Sequence, residues 1–448
     1  MNNKKIAVIG AGITGLTACF QLKKRDIQAD LFDIKGEPGG VIKSVQNKDW
    51  SYEYGPNTLL LKDPEIEDFL SDLNLEDEIA VANTNASKRY IVKNGKLHEL
   101  PTSFSEFFKT PLFSSNAKLR LFGEPFYRKS DEDATLAQFF EHRLGKEILD
   151  YAVNPFVAGI HAGRPENLSF KHSFPALHDL EQQSGSIMMG AVRKRFKNKK
   201  KRKTKRRLIS FTNGLQQLPK TIYSKLDHTY LNHEVKQVKK SDDGWVLKTQ
   251  MGNFGPYHDI ILTVPMHKWN RQLLPLNEQD LDIINRVKYP SLSIMILGYK
   301  KEQISHLLDG FGFLVPEKEQ RSILGALFTS TLFSGRAPEG HHLLTVFIGG
   351  DRQPELAQLN SEELLNTVES DLKDLTGLKG SAVFKDHIYW PNSIPQYHKS
   401  YDEVIDLFEE LETRNPGLHL AGNFRGGVSV PDCIKNAIKV AEKVNSLK

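Results

Sequence analysis

Six residues, Gly10-Ala11-Gly12-Ile13-Thr14-Gly15, constrain this chain more than any others, because of what flanks them. A buried-strand pattern from Lys4 to Ile9 runs into them, and helical apolar spacing from Leu16 to Lys24 follows at once. A glycine loop between strand and helix makes a dinucleotide cradle. Gly10 permits the tight turn, Gly12 lets a pyrophosphate approach the backbone, and Gly15 lets helix and strand pack closely. The helix N-terminus supplies free N–H donors and the positive end of a dipole. A second strand, Ala29 to Asp33, ends in an acid eighteen residues past Gly15. That carboxylate is placed to accept hydrogen bonds from ribose hydroxyls, which argues for an unphosphorylated ribose. The same loop also serves as a plain strand-to-helix turn, and it does not choose between FAD and NAD.

The choice comes from segments far away in the chain. Gly39-Gly40 follows the acid, Tyr54-Gly55-Pro56-Asn57 follows a short strand, and Leu418 to Ala421 reads as a strand running into Gly422-Asn423. Pro431 to Val444 then reads as a helix whose N-terminus can face a flavin. Two distant ends of the chain thus converge on one long cofactor, which points to FAD; an NAD dehydrogenase needs no such closing piece.

At 448 residues the chain has room for two or three folding units, and 39% hydrophobic with 26% charged residues is the balance of a soluble enzyme. Cys19 and Cys433 are the only cysteines. They exclude a disulfide framework and offer no zinc or redox pair, so no metal site is expected and a reducing, cytoplasmic compartment is favoured. Met1 to Phe20 is read as folded protein and not as a signal peptide, since its glycines fall at cradle spacing. No stretch is long and apolar enough to span a membrane, so any membrane contact is peripheral. Arg193 to Arg207 carries twelve Lys or Arg and no acid; without it the net charge of +5 becomes 5 − 12 = −7. The run lacks interleaved aromatics apart from Phe196, which speaks against nucleic acid. It reads either as a solvated loop or as a tether to an anionic leaflet. Eight of the 25 Phe fall between Phe104 and Phe140, a density that suits either a helical core or an apolar surface.

Seven stretches together resemble the protoporphyrinogen/coproporphyrinogen oxidase family of the flavin amine oxidase superfamily. They are GAGITGL from Gly10, EPGGVIKS from Glu37, YGPNTLL from Tyr54, KRYIVKNGKLHELP from Lys88, NPFVAGIHAG from Asn154, FTNGLQQLP from Phe211 and LAGNFRGGVSVPDCI from Leu420. The resemblance implies an α/β fold: a discontinuous Rossmann-like FAD-binding domain (1–85, 211–265, 415–448), a mixed-sheet substrate domain (86–99, 266–414), and an inserted helical, membrane-associating domain (100–210). It implies FAD held by Gly10, Gly12, Ile13, Thr14, Gly15, Asp33, Gly39, Gly40, Gly55, Pro56, Val235, Gly422, Asn423 and Val428. Relatives often flank the double glycine with arginines; here Glu37 and Val41 stand there, and Lys43 is the expected replacement cation. No cysteine shortly precedes Gly422, so the flavin is expected to be noncovalent.

The implied reaction removes hydrogen from a porphyrinogen in haem biosynthesis, by hydride transfers to flavin N5 with reoxidation by oxygen. Asn57 is expected near flavin and substrate, Arg89 against a propionate, and Gly159 as a point of close backbone approach. Phe313 and Phe328 are expected as walls of the macrocycle site. Protoporphyrinogen IX is the expected substrate. Coproporphyrinogen III, and more remotely a non-catalytic flavin- and porphyrin-binding role, are the alternatives. Expected partners are an anionic inner-membrane surface, contacted peripherally, and a ferrochelatase to receive the product.

Overall fold

A computed structural model describes residues 4–197 and 205–446; residues 198–204 of the basic run lie outside them. Strand Lys5–Ile9 is the centre of a five-stranded parallel sheet in the order Thr229–Tyr230, Gln28–Phe32, Lys5–Ile9, Asp259–Leu262, Leu418–Leu420. Successive side chains of a strand face opposite ways, so a central parallel strand must be apolar throughout. Accordingly Ile6 and Val8 enter one core, with the helices Ile13–Lys23 and Val430–Ser446, while Ala7 and Ile9 enter another with Phe32, Trp245 and Tyr257. The helix after the glycine loop is buried on every side, from Ile13 to Leu22. Because all five strands are parallel, their C-terminal ends share one edge, and the glycine loop lies there.

A second sheet has seven strands, in the order Phe384–Trp390, Leu292–Lys300, His341–Gly349, Ile323–Leu327, Gly310–Leu314, Lys88–Lys93, Lys96–Glu99. Its rear face packs on helix Ser361–Thr376 through Leu364, Val368 and Leu372. Its front face, through Leu292, Ile294 and Ile296, meets Trp50 and Tyr52 of the cofactor-side hairpin and Ala158 of helix Asn154–His161. The two sheets therefore face each other across the hairpin Ser44–Asn47/Trp50–Glu53.

Packing moves three of the expected domain boundaries. Strand Arg207–Phe211 pairs with Leu59–Leu61 and Ile79–Val81 beside the cofactor core, so a boundary at 210 cuts through a strand. Met266, Trp269, Leu273 and Ile284, placed with the substrate domain, pack on the parallel sheet, as do Val404, Phe408 and Leu411 of helix Tyr401–Arg414. The sheet needs cover on both faces, and these segments supply the second.

Between strands Lys96–Glu99 and Arg207–Phe211 the chain inserts short helices from Phe104–Lys109 to Ile187–Lys197. Thr135 and Gln138 close a capping box on helix Leu136–Leu144, fixing its start. The insert's phenylalanines divide: Phe113, Phe139 and Phe140 are buried, whereas Phe104, Phe122 and Phe126 are 61, 54 and 88% exposed. Among the described residues no helix is long and apolar enough to cross a membrane.

Candidate active site

Each glycine of the loop has its own physical reason. Gly10 adopts φ +111°, and a Cβ there would stand 2.5 Å from Thr263 Oγ1. At Gly15 a Cβ would stand 1.9 Å from the Gly10 carbonyl oxygen, so only glycine lets helix and strand come this close. Gly12 differs: its backbone (φ −72°, ψ 176°) suits any residue, yet no protein atom lies within 4 Å of where its Cβ would be. The protein leaves that space open for something else. Facing it is the first turn of helix Ile13–Lys23, with no side-chain cap and no acid, so Ile13, Thr14 and Gly15 offer their N–H groups to an anion.

Gly39 and Gly40, both at positive φ, close the cradle from the other side. The Gly39 N–H donates to the Ala11 carbonyl (2.8 Å), and a Cβ on Gly40 would sit 3.2 Å from the Gly12 Cα. Asp33, one residue past its strand, accepts from the Ala11 N–H (2.6 Å) and the Lys35 N–H (2.7 Å). These bonds fix the carboxylate and leave it lone pairs for ribose hydroxyls. The His233 N–H donates to the Asp33 carbonyl (2.8 Å), which brings the approach to Val235, first residue of strand Val235–Ser241, beside the same acid. Lys43 is exposed, whereas the Lys35 ammonium donates to the Gly40 carbonyl (3.2 Å). Lys35 is thus a cation at the cradle that sequence reasoning missed, and its place two residues after Asp33 was the available signal.

At the closing end, Gly422 (φ +158°) leads into a loop held by two buried tyrosines. Tyr397 donates to the Asn423 carbonyl (2.6 Å) and Tyr401 to the Phe424 carbonyl (2.7 Å); the Gly427 N–H donates to the Tyr397 hydroxyl (3.1 Å). Val428 packs on the core beneath, just before helix Val430–Ser446. Neither tyrosine was legible as part of this loop, since both lie more than twenty residues earlier in the chain.

Between the cradle and the seven-stranded sheet stands Asn57. Gly55 makes the approach possible, as its Cβ would stand 1.9 Å from the Val41 carbonyl oxygen. After Pro56, the Asn57 Nδ2 donates to the Gly55 carbonyl (3.1 Å), while Oδ1 is buried without a partner. It lines a cavity of about 10 Å³ with Tyr52, Glu53, Thr329, Leu332, Phe333 and Arg336. Glu53 and Arg336 are 2 and 4% exposed, and neither was anticipated. The Arg336 guanidinium donates to Ser51 Oγ (2.8 Å), Ser210 Oγ (3.1 Å) and the Phe211 carbonyl (3.3 Å), tying hairpin to small sheet. Burial pushes the Glu53 carboxyl up to about 7, against the pull of Ser44, the Leu215 N–H and Arg336.

Arg89 lies on the front of the sheet, 5.3 Å over the Phe311 ring, with one hydrogen bond to the Ser87 carbonyl (3.3 Å). Although its side chain is exposed, partial desolvation, and then the like charge of Arg206, hold its pKa below the usual arginine value. Phe313 and Phe328 correct an expectation. Both are buried at the rear of the sheet in the cluster with Val346 and Leu372, their rings 6.1 Å apart. The register Phe313↔Tyr90 and Leu314↔Ile91, after a bulge, turns Phe313 backward and Leu314 forward. Phe311, Leu327, Leu332 and Phe333 form the apolar cluster on the Arg89 side in their stead. Gly159 sits within its helix, where a Cβ would stand 2.8 Å from Leu314 Cδ2; its visible role is to seat helix on sheet.

The open space at Gly12, the uncapped helix, Asp33 and the orphaned Asn57 Oδ1 fit a flavin dinucleotide. Bound there, it supplies a two-electron oxidant.

Comparison with known proteins agrees. The profile of the flavin containing amine oxidoreductase family matches residues 13–445. Protoporphyrinogen oxidase 2 of Arabidopsis thaliana is 36% identical over 483 aligned positions, covering 100% of this chain and 94% of that protein. The coproporphyrinogen III oxidase of Bacillus subtilis is 28% identical, covering 96% of each. In fold, a protein from Exiguobacterium named as a candidate protoporphyrinogen oxidase superposes with a TM-score of 0.83 at 23% identity, covering 100% of both chains. The chain belongs to the protoporphyrinogen/coproporphyrinogen oxidase family of flavin-containing amine oxidoreductases, and its cofactor is FAD.

Proposed function

We propose that the protein oxidises protoporphyrinogen IX to protoporphyrin IX in haem biosynthesis, with noncovalent FAD taking hydride and oxygen restoring it. The observation that carries this reading is the surface opposite the cradle. Phe311, Leu327, Leu332 and Phe333 form an apolar wall, and Arg89 stands at its margin with Arg206 close enough to depress its pKa. An apolar macrocycle with carboxylates on one edge matches such a wall. Two neighbouring cations suit two propionates on one edge, which favours protoporphyrinogen IX over coproporphyrinogen III with four. Asn57 orients the ring by its amide, Arg89 holds a propionate, Gly159 lets the helix approach, and Lys43 joins Lys35 at the phosphates.

The exposed Phe104, Leu119, Phe122 and Phe126, with Met188, Met189 and Val192, make an apolar face beside Arg193 and Lys194. We assign this face to an anionic leaflet on the cytoplasmic side, each basic residue contributing about 1 kcal/mol near the surface. A poorly soluble product leaving there suits handover to a ferrochelatase. Anaerobic mixing with protoporphyrinogen IX tests the function: the flavin bleaches if the protein is the oxidase. An unbleached flavin supports a binding protein instead.

A further inference from the structure

We infer that Glu53 is a proton relay, which takes the pyrrole N–H proton released in each oxidation step and passes it through Ser44 to solvent. The inference rests on the porphyrinogen reading above and concerns the half of the chemistry that the flavin does not perform. FAD, when bound, would accept the hydride released as a meso C–H bond breaks in each step. A pyrrole N–H bond breaks as well, its electron pair staying with the macrocycle to complete the new double bond, and after the last step one proton shifts from the remaining meso CH2 to a pyrrole nitrogen, so that the net loss is four meso C–H and two N–H hydrogens. The proton needs an acceptor and a way out of a closed site.

Glu53 stands between two spaces. Inward it lines the cavity shared with Asn57, Thr329 and Arg336, whose volume of about 10 Å³ is the room one water needs. Outward, the Ser44 hydroxyl donates to Glu53 Oε2 at 2.6 Å. Ser44 also lines a polar cleft of about 510 Å³, open to solvent, together with Ser51, Asn213, Gln216, Gln217 and Lys220. One carboxyl and one hydroxyl thus span from the buried cavity to bulk water. A proton bound by Glu53 leaves as the carboxyl donates to Ser44 Oγ and the hydroxyl donates to water in the cleft.

The surroundings keep the carboxyl in place and tune it. The Leu215 N–H donates to Oε1 (2.9 Å), and the Gln216 N–H donates to Ser44 Oγ (2.9 Å). Among the described residues Arg336 is the charged group that faces Glu53, at 3.7 Å; the hairpin presents Tyr52, the small sheet Ser210, and the 213–216 turn Asn213 and Gln216. Lys220 lines the cleft on the solvent side. A carboxyl raised to about 7 both accepts and releases a proton near neutral pH, as a relay must.

The test compares the FAD-loaded wild type with Glu53→Gln, Glu53→Asp and Ser44→Ala. The relay predicts that Glu53→Gln retains FAD, lowers kcat about 100-fold and loses the limb of the pH profile centred near 7, while Glu53→Asp restores that limb. Ser44→Ala slows turnover with a larger solvent deuterium isotope effect, and serves if the Gln variant does not fold. Independently of activity, infrared difference spectra of the FAD-loaded wild type show a protonated-carboxyl band that titrates near 7 and is missing in Glu53→Gln. An unchanged kcat and pH profile in Glu53→Gln beside normal wild-type turnover overturns the relay alone. Absence of wild-type turnover with either porphyrinogen overturns the function on which it rests.

Discussion

Replacing Gly12 by alanine separates a cofactor cradle from a mere turn. The Gly12 backbone lies in the extended region and no protein atom stands within 4 Å of the new methyl. The flavin-free protein therefore loses nothing, and gains about 0.4–1 kcal/mol from a less disordered unfolded chain. With FAD bound, the methyl would meet the pyrophosphate, and overpacking a rigid cradle costs about 1–3 kcal/mol, or roughly 5- to 150-fold in Kd. Gly15→Ala is the contrasting case. Its Cβ would lie 1.9 Å from a backbone oxygen, so helix and strand must part and the flavin-free fold itself is destabilised by about 3 kcal/mol or more. Urea denaturation of the flavin-free proteins gives the first quantity, and titration with FAD followed by quenching of flavin fluorescence gives the second. Gly12→Ala binding FAD as tightly as wild type, or unfolding as readily as Gly15→Ala, would mean that the loop is no cofactor cradle.

Truncating Arg89 to alanine removes one charge-assisted contact to a carboxylate, so KM for porphyrinogen rises about tenfold with FAD affinity unchanged; steady-state kinetics and flavin titration check both. His161 is buried with Nδ1 unpartnered, and burial holds its pKa down at about 4. The unfolded chain then binds the extra proton first, so stability present above pH 6.5 falls by about 3 kcal/mol as pH drops toward 4. His161→Gln flattens that part of a urea-midpoint series. In the insert, Arg143 is fully buried between Glu124 (3.1 Å) and Glu181 (2.6 Å). Arg143→Met leaves two buried carboxylates without their cation and costs about 3–5 kcal/mol in thermal unfolding.

Much of the cofactor half was legible because it is written locally. The strand, loop and helix from Lys5 to Lys23 follow from consecutive residues, and the helix read from Pro431 to Val444 is Val430–Ser446 in the structure. What failed to show depends on pairings across the chain. Phe313 faces backward because of a bulge between Gly310 and Phe313 against Lys88–Tyr90, and no property of the strand's own sequence sets that parity. Glu53 meets Arg336 across 283 positions and Ser210 joins the same guanidinium, so the network exists only after folding. Helix Tyr401–Arg414 covers the parallel sheet and not its sequence neighbours, because an exposed second face of that sheet could not stand.

Turnover decides substrate and reaction together. Purified, FAD-loaded protein is mixed in air with protoporphyrinogen IX and, separately, with coproporphyrinogen III, and porphyrin fluorescence is followed above the autoxidation rate. The expected result is oxidation of protoporphyrinogen IX with the higher kcat/KM. Faster oxidation of coproporphyrinogen III contradicts the substrate assignment, and no enzymatic rise with either contradicts the function.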